Sequence, residues 1–279
     1  MRDHRITWFL TVAIVLALFA LPAAPSAAAQ RGRGEQARPA IPIPRMADGT
    51  PNLSWTDPAH KGAWNSRVRH WDFVEFLADR KDEGIPFQPW AKALYEYRID
   101  TEDKDDPDAF CVPNGGTRLS SLLSNWEFVQ IPEQKRILRV FEAAAHVWQI
   151  IYMDGRPHPQ EAWDIPTWLG HSAGHWEGDT LVIDTVGFNE GEYASKLGAP
   201  RTNLHHLIEK FTRKDYYTLR YEATIDDPGA YTRPWTVTWD LTWNEGAEIP
   251  EYVCQENNKY LGAYEYIEKN EIHHEEAVK

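Results

Sequence analysis

The chain has 279 residues and a formal net charge of −13 at pH 7, with no cluster of basic residues. An acidic surface repels phosphate backbones and anionic lipid, so we expect neither nucleic acid nor an anionic membrane surface as a partner. The length is sufficient for one sizeable domain with a hydrophobic core, as all-β domains of this size show.

Residues 1–29 have the pattern of a secretory signal peptide. Arg2 and Arg5 precede an apolar run from Trp8 to Leu21, and small residues end at Ala27-Ala28-Ala29. The run is about 14 residues long, shorter than the roughly 20 residues that cross a bilayer, and an uncleaved anchor is the alternative. We therefore expect an exported protein, periplasmic or extracellular, with no transmembrane span in the mature chain.

Composition divides the remainder into four segments. Residues 30–58 are rich in proline, glycine and arginine and predict a linker or extended arm. Residues 59–125 predict a flap of loops and helices, with helical spacing over Trp71–Arg80 and Pro89–Arg98. Residues 126–258 have the period of two that is typical of strands, and residues 259–279 form an acidic tail.

The fold class follows from eight predicted strands joined by short turns. In Trp235–Trp243 the apolar side chains alternate with Thr236, Thr238 and Asp240, as in an antiparallel sheet with one buried face. Such a series predicts an antiparallel meander closed into an eight-stranded, lipocalin-like barrel, with a two-sheet β-sandwich as the alternative. The predicted strands are Trp126–Ile131, Arg136–Glu142, His146–Tyr152, Leu181–Val186, His206–Arg213, Tyr217–Ile225, Trp235–Trp243 and Glu251–Cys254.

The two cysteines, Cys111 and Cys254, are expected to form a disulfide. Free thiols tend not to persist in an oxidising compartment, and a loop this long gives a bridge worth about 4–5 kcal/mol in the chain-entropy model. Two buried free thiols are the alternative.

A serine-hydrolase pattern, Gly170-His171-Ser172-Ala173-Gly174, lies in the middle of the chain. The pattern has catalytic meaning where a strand turns sharply into a helix and lifts the serine from the sheet. Here Glu177-Gly178-Asp179 predicts a turn between two strands. A serine esterase at Ser172 is therefore disfavoured.

Histidines near this turn are candidates for acid–base chemistry or metal binding. On a strand, His171 and His175 point to the same face, and Asp184 returns across the predicted hairpin. His171 or His175 could act as a general base oriented by Asp184. With Asp184 and with His205 or His206 from a neighbouring strand, the same two histidines could instead hold a divalent metal such as zinc, although no cofactor is predicted and no metal-binding spacing is present. Hydrogen-bonded histidines at the barrel rim are the alternative.

Aromatic and basic side chains near the histidines are candidates for a ligand pocket. Flat indole rings bind apolar faces well, and an arginine can grip an anionic group. The alternative places tryptophans in the core, as we expect for Trp235, Trp239 and Trp243, and arginines in salt bridges, with Asp226 or Asp227 as the partner of Arg233. The candidates are Trp148, Arg156, Trp168, Trp176 and Arg233.

Four ordered motifs resemble a large uncharacterised family of exported bacterial proteins. They are YMDGRPHP from Tyr152, TWLGHSAGHWEGDTLVIDTVGFN from Thr167, IDDPGAYTRPW from Ile225 and EYVCQENN from Glu251. The resemblance spans roughly residues 87–258. It implies a shared β-rich exported domain and brings no catalytic residue with it.

Together these patterns predict an exported β-barrel that takes a small apolar or aromatic ligand. Acid–base catalysis of an isomerase or lyase type is compatible with the histidines. The alternatives are a histidine-rich metal-dependent hydrolase and a non-catalytic envelope structural protein. The oligomeric state is not predicted.

Overall fold

The computed structural model describes residues 41–55, 57–66, 72–143, 147–256 and 258. The predicted signal peptide, the tail and residues such as His146 lie outside the described residues. Within those ranges, no helix is long and apolar enough to cross a membrane.

Nine strands form the framework of the protein, and they close into one barrel in sequence order. The strands are β1 (Gly62–Asn65), β2 (Trp126–Ile131), β3 (Arg136–Phe141), β4 (Trp148–Tyr152), β5 (His171–Glu177), β6 (Thr180–Val186), β7 (His206–Arg213), β8 (Thr218–Asp226) and β9 (Trp235–Glu245).

In the described part of the chain, helices are few and short, and they lie in the connections. Proline begins the longest one, where its missing N–H costs no hydrogen bond. The α-helices are α1 (Pro89–Asp100), α2 (Thr117–Ser121) and α3 (Glu161–Asp164). The 3₁₀ turns are Pro58–His60, Phe73–Phe76, Pro107–Phe110 and Pro132–Gln134.

The barrel confirms the predicted fold class and corrects its details. Strand β1 closes the wall by pairing with both β2 and β9, so the strand count is nine and not eight. The barrel is also mixed, because β4 and β5 run parallel while the other neighbours are antiparallel. A chain can join parallel strands only by a crossover that returns it to the starting end. Residues 153–170 make that crossover.

Seven of the eight predicted strands are present. The eighth, Glu251–Cys254, is not a strand, and β1 and β5 were not predicted. The predicted helix over Trp71–Arg80 is also wrong in its described part. A single 3₁₀ turn there is followed by Leu77, which bridges to Val237 of β9, so the backbone pairs with the sheet instead of with itself.

Large side chains fill the inside of the barrel. Alternate residues of the strands point inward, and those of β9 include Trp235, Trp239 and Trp243, each no more than 5% exposed. Tyr221 of β8 packs against Trp239, with their ring centroids 4.6 Å apart. Phe211 of β7 in turn lies 5.0 Å from Tyr221 and 5.9 Å from Trp126 of β2, between ring centroids. The predicted core role of the β9 tryptophans is thus confirmed.

The predicted disulfide between Cys111 and Cys254 is present and closes a loop with a sequence separation of 143. It holds the segment after β9 beside Phe110, where Asn258 donates a hydrogen bond to the carbonyl oxygen of Ala109 at 2.8 Å. The C-terminal segment is therefore tied down by a covalent bond and not by strand pairing.

Candidate functional site

A cleft opens in the barrel wall between β4 and β5. These strands pair through Ile151 with Ser172 and Tyr152 with Ala173, and on the N-terminal side of these pairs they separate. The opening has a volume of about 580 Å³, within the range of pockets that hold drug-sized molecules. The cleft lies where the parallel crossover returns the chain to the barrel wall at the start of β5.

The crossover forms the outer wall of this cleft and is fixed to the barrel. Thr167 donates a backbone hydrogen bond to the carbonyl oxygen of Gly187 at 2.9 Å and accepts one from Asn189. Gly187 has a φ of +72°, and a Cβ there would lie 2.0 Å from the carbonyl oxygen of Ala162 in α3. Only glycine allows this approach, so the wall position depends on it.

The walls of the cleft are mostly apolar and its floor is polar. The floor is made by Gln149 of β4 and Ser172 of β5, which are 5% and 1% exposed. A mostly apolar pocket with a few convergent polar groups is the usual form of a small-molecule site. The apolar lining residues are Pro113, Val147, Trp148, Ile150, Pro159, Ala162, Ile165, Trp168 and Leu169.

The floor is the end of a hydrogen-bond network inside the barrel. Arg139 donates to Gln149 Oε1 at 3.1 Å and to both carboxylate oxygens of Glu209 at 3.2 Å. Gln149 Nε2 donates to Ser172 Oγ at 2.8 Å, and Ser172 Oγ lies 2.9 Å from Thr185 Oγ1. Ser172 is thus a buried member of this network.

The buried ion pair within the network is well compensated. Ser120 and Tyr221 also bond to it, with Tyr221 donating to Glu209 at 2.9 Å. Burial and the adjacent Glu209 charge raise the pKa of Tyr221, so its hydroxyl stays protonated. The Arg139 guanidinium lies 4.8 Å from the ring centroid of Trp126. Apart from Arg139 Nε, which has no hydrogen-bond partner, the network is bonded throughout, and such a network holds its side chains in one arrangement.

A chain of four ionisable side chains runs along the outer face beside the cleft. His158 Nδ1 lies 2.8 Å from His171 Nδ1, and His158 Nε2 lies 3.1 Å from Asp184 Oδ1. The same Asp184 oxygen lies 2.8 Å from His206 Nε2. His171 also lines the cleft, so the chain connects the cleft to the carboxylate.

The hydrogen bonds fix which nitrogens of a neutral chain carry protons. A carboxylate only accepts, so His158 Nε2 donates to Asp184 and His158 Nδ1 must then accept. His171 Nδ1 donates to it, which leaves His171 Nε2 as the unprotonated nitrogen. A neutral imidazole acts as a general base through its unprotonated nitrogen, which in His171 is therefore Nε2.

The surroundings separate the pKa values along the chain. Burial, His158 and Arg156 lower the pKa of His171, so it is neutral at neutral pH. The hydrogen bond to Asp184 and its charge raise the pKa of His206. Burial acts to raise the pKa of Asp184, but His206 and His158 outweigh it and the pKa is lowered. The result is a neutral base beside an ionised carboxylate.

The sequence-predicted pocket residues divide into two groups. Trp148 and Trp168 line the cleft, whereas Trp176 lines a separate pocket of about 210 Å³. Arg156 forms an ion pair with Asp154 and lies 4.1 Å from the ring centroid of Tyr152.

Arg233 is also outside the cleft lining. It pairs with Glu83 at 3.1 Å, and not with Asp226 or Asp227 as the alternative proposed. The carboxylate of Asp227 instead accepts hydrogen bonds from the backbone N–H and the hydroxyl of Thr202, and it lies 3.5 Å from His205 Nδ1. Neither predicted anion clamp is therefore placed at the cleft.

The three histidines predicted as metal ligands have separate partners. His171 contacts His158, while His175 is exposed and pairs with Glu177 at 3.2 Å. His205 is buried and lies 3.5 Å from Asp227. Across the described part of the chain, no group of three or more histidine, cysteine or carboxylate side chains could hold a metal ion.

Sequence reasoning gave no site role to Gln149 or His158, and it considered His206 only as the alternative to His205 in a metal site. His158 sits between Pro157 and Pro159 in a crossover whose path the sequence does not reveal. His206 could have been chosen over His205 from strand alternation, since Asp184 and Ile208 are paired and His206 shares their face.

No protein-family model, no curated protein and no solved structure matches this chain.

Proposed function

We propose that this protein is exported and binds a small, largely apolar or aromatic molecule in the cleft between β4 and β5. The observation that carries the proposal is the cleft itself, whose apolar walls lead to a buried polar floor at Gln149 and Ser172. Burial of apolar ligand surface against Trp148 and Trp168 supplies affinity, and the floor supplies orientation. The resemblance to exported bacterial proteins belongs to the same proposal.

The barrel interior supports a wall site over a lipocalin-like central site. Inward-facing rings such as Trp64, Trp126 and Trp239 are at most 5% exposed and occupy the interior. These side chains fill the interior of the barrel, whereas the cleft in the wall has room for a ligand.

A second candidate function, acid–base catalysis at the cleft, is supported by the histidine chain. His171 lines the cleft with its free-base nitrogen set by His158 and Asp184. A base of this kind removes a proton from a bound substrate, and Asp184, connected to His171 through His158, stabilises the histidine cation that follows. An isomerase or lyase reaction fits this arrangement.

Binding is tested by native mass spectrometry of the protein purified from its own host, with elemental analysis alongside. We expect a neutral organic adduct that is lost when Trp148 and Trp168 are both changed to alanine. Stoichiometric zinc would instead support the metal-dependent hydrolase. A bare chain that also fails to bind apolar dyes would support an envelope structural protein.

Catalysis is tested by His171→Ala on whatever turnover the identified ligand undergoes. We expect a loss of about 10²–10⁴-fold, because the base is removed. The control is His175→Ala, four residues along the same strand but exposed and paired with Glu177. Equal losses in the two variants, or no loss in either, would contradict a catalytic role for His171.

A further inference from the structure

The polar floor of the cleft indicates the chemical class of the ligand. We propose that the ligand is uncharged and carries one hydrogen-bond acceptor, a carbonyl oxygen, at its buried end, where the Gln149 amide binds it. This inference rests on the proposed function, because it assigns the ligand of the same cleft.

The orientation of the Gln149 amide is fixed by its neighbour. A guanidinium has only donors, so the group that faces Arg139 Nη1 at 3.1 Å must be the acceptor Oε1. Nε2 therefore faces Ser172, where one of its hydrogens is used at 2.8 Å. Its second hydrogen is left for an acceptor in the cleft. A flipped amide would place two donors against each other, so Gln149 cannot adapt to a ligand that only donates.

The charges around the cleft argue against an ionised ligand. Of the described side chains that line the cleft, only Glu161 is charged, because His171 is neutral at neutral pH. Two nearby cations, Arg156 and Arg136, lie over the ring of Tyr152 and outside the cleft lining, and Arg156 is held by Asp154. A carboxylate or phosphate would lose its hydration without gaining a cationic partner, which is costly.

The rim of the cleft indicates where the rest of the ligand lies. Trp148 and Ile165 both line the cleft and yet are 62% and 69% exposed. Large apolar side chains gathered at a pocket mouth are typical of ligand-binding grooves. The ligand thus points its carbonyl inward and lays an apolar body, aromatic or alicyclic, outward over this rim.

The test compares three naphthalenes of similar size on the wild-type protein by calorimetry. They are 2-acetylnaphthalene, which has a carbonyl, 2-ethylnaphthalene, which lacks it, and 2-naphthoate, which is charged. We expect the ketone to bind up to about tenfold more tightly than the hydrocarbon, as one added neutral hydrogen bond allows. The carboxylate should bind more weakly than the ketone.

Two variants then assign the preference to Gln149. Gln149→Leu removes both polar groups, and Gln149→Glu keeps the shape and the acceptor for Arg139 but removes the donor. Each should reduce the ketone preference to about onefold to twofold while leaving hydrocarbon affinity within about threefold. Gln134→Leu, on an exposed turn, is the matched control and should keep the preference.

The outcomes separate this inference from the proposed function. Equal wild-type affinities for ketone and hydrocarbon, a preference that survives in both Gln149 variants, or tightest binding of the carboxylate would each overturn the inference alone. If no naphthalene binds the wild type, the proposed binding function fails as well. If Gln149→Leu does not fold, Gln149→Glu and the comparison of the three naphthalenes on the wild-type protein still test the inference.

Discussion

At the scale of single residues, His158 is the side chain that connects His171 to Asp184 and His206 in one hydrogen-bonded chain. It uses both ring nitrogens, one toward His171 and one toward Asp184, at 2.8 and 3.1 Å. Without it, His171 would have no connection to the carboxylate. The pairing predicted from sequence, His171 with Asp184, is therefore indirect.

The charge coupling between Asp184 and His206 predicts a pH-dependent cost for Asp184→Asn. The pKa of His206 is raised, so its stabilising contribution is fully present below the ordinary histidine pKa and is lost as pH rises through the folded-state value. We expect the variant to lose up to about 1 kcal/mol more stability at about pH 5.5 than at about pH 8.5 in urea unfolding, since both partners are partly exposed.

Asp154→Asn is the matched control for this experiment. Asp154 pairs with Arg156, and hydrogen bonds from Arg156 lower the pKa of Asp154 to about 2. Neither partner titrates between the two pH values, so its cost should be the same at both. A cost of Asp184→Asn that grows with pH would contradict the assigned coupling.

At the scale of elements, the crossover between β4 and β5 creates the cleft and could not be read from the sequence. The period of two predicted seven strands because their apolar and polar residues alternate. Strand β5 was missed because its core-facing positions are Ser172 and Gly174. A Cβ at Gly174 would lie 2.7 Å from Ile151 Cγ2, so the glycine reflects a close strand contact that only the fold reveals.

The alternation of apolar and polar residues was also a misleading guide to strands near both ends of the described chain. Glu251–Cys254 alternates like a strand, but a disulfide holds it and no ladder does. Strand β1 has four residues, too few to show a period, and it is defined by its two neighbours. Whether a short segment forms a strand therefore depends on pairing partners distant in sequence and not on its local propensity alone.

The close approach of Gly187 to α3 predicts that Gly187→Ala displaces the crossover. The matched control is Gly155→Ala, because Gly155 has a similar φ of +76° but nothing within 4 Å of a built Cβ. Both variants carry the backbone strain, and only Gly187→Ala adds the clash with Ala162. We expect it to cost roughly 1–3 kcal/mol more in urea unfolding and to weaken apolar-probe binding. Equal costs would show that the clash relaxes freely.

At the scale of the whole molecule, a filled barrel stabilises a binding site that lies in its wall. The aromatic interior follows the ordinary alternation of strands such as β8 and β9, which is why the fold class was predictable, whereas Arg139 and Glu209 interrupt the alternation at inward positions of β3 and β7. The site was only half predictable, since Trp148, Trp168 and His171 lie at the cleft while Trp176, Arg233 and His205 lie elsewhere. The order of the strands in the barrel, and not the composition, determines which of these residues lie at the cleft.

The buried pair makes a prediction about the stability of the whole barrel. Arg139→Met should cost roughly 3–5 kcal/mol, because it leaves the Glu209 carboxylate buried without its cation. Arg139→Met with Glu209→Leu should cost less than the single change, since no charge then remains. Urea unfolding of both variants checks this order, and a double variant less stable than the single one would contradict it.

The central claim is that a ligand enters the wall cleft and not the barrel interior. The most direct test is fluorine NMR of the protein labelled with 5-fluorotryptophan, assigned by single Trp→Phe changes and titrated with 2-acetylnaphthalene. Our account predicts that the Trp148 and Trp168 resonances shift while those of the interior rings Trp64, Trp126 and Trp239 do not. Shifts confined to the interior tryptophans, or none at saturating probe, would contradict it.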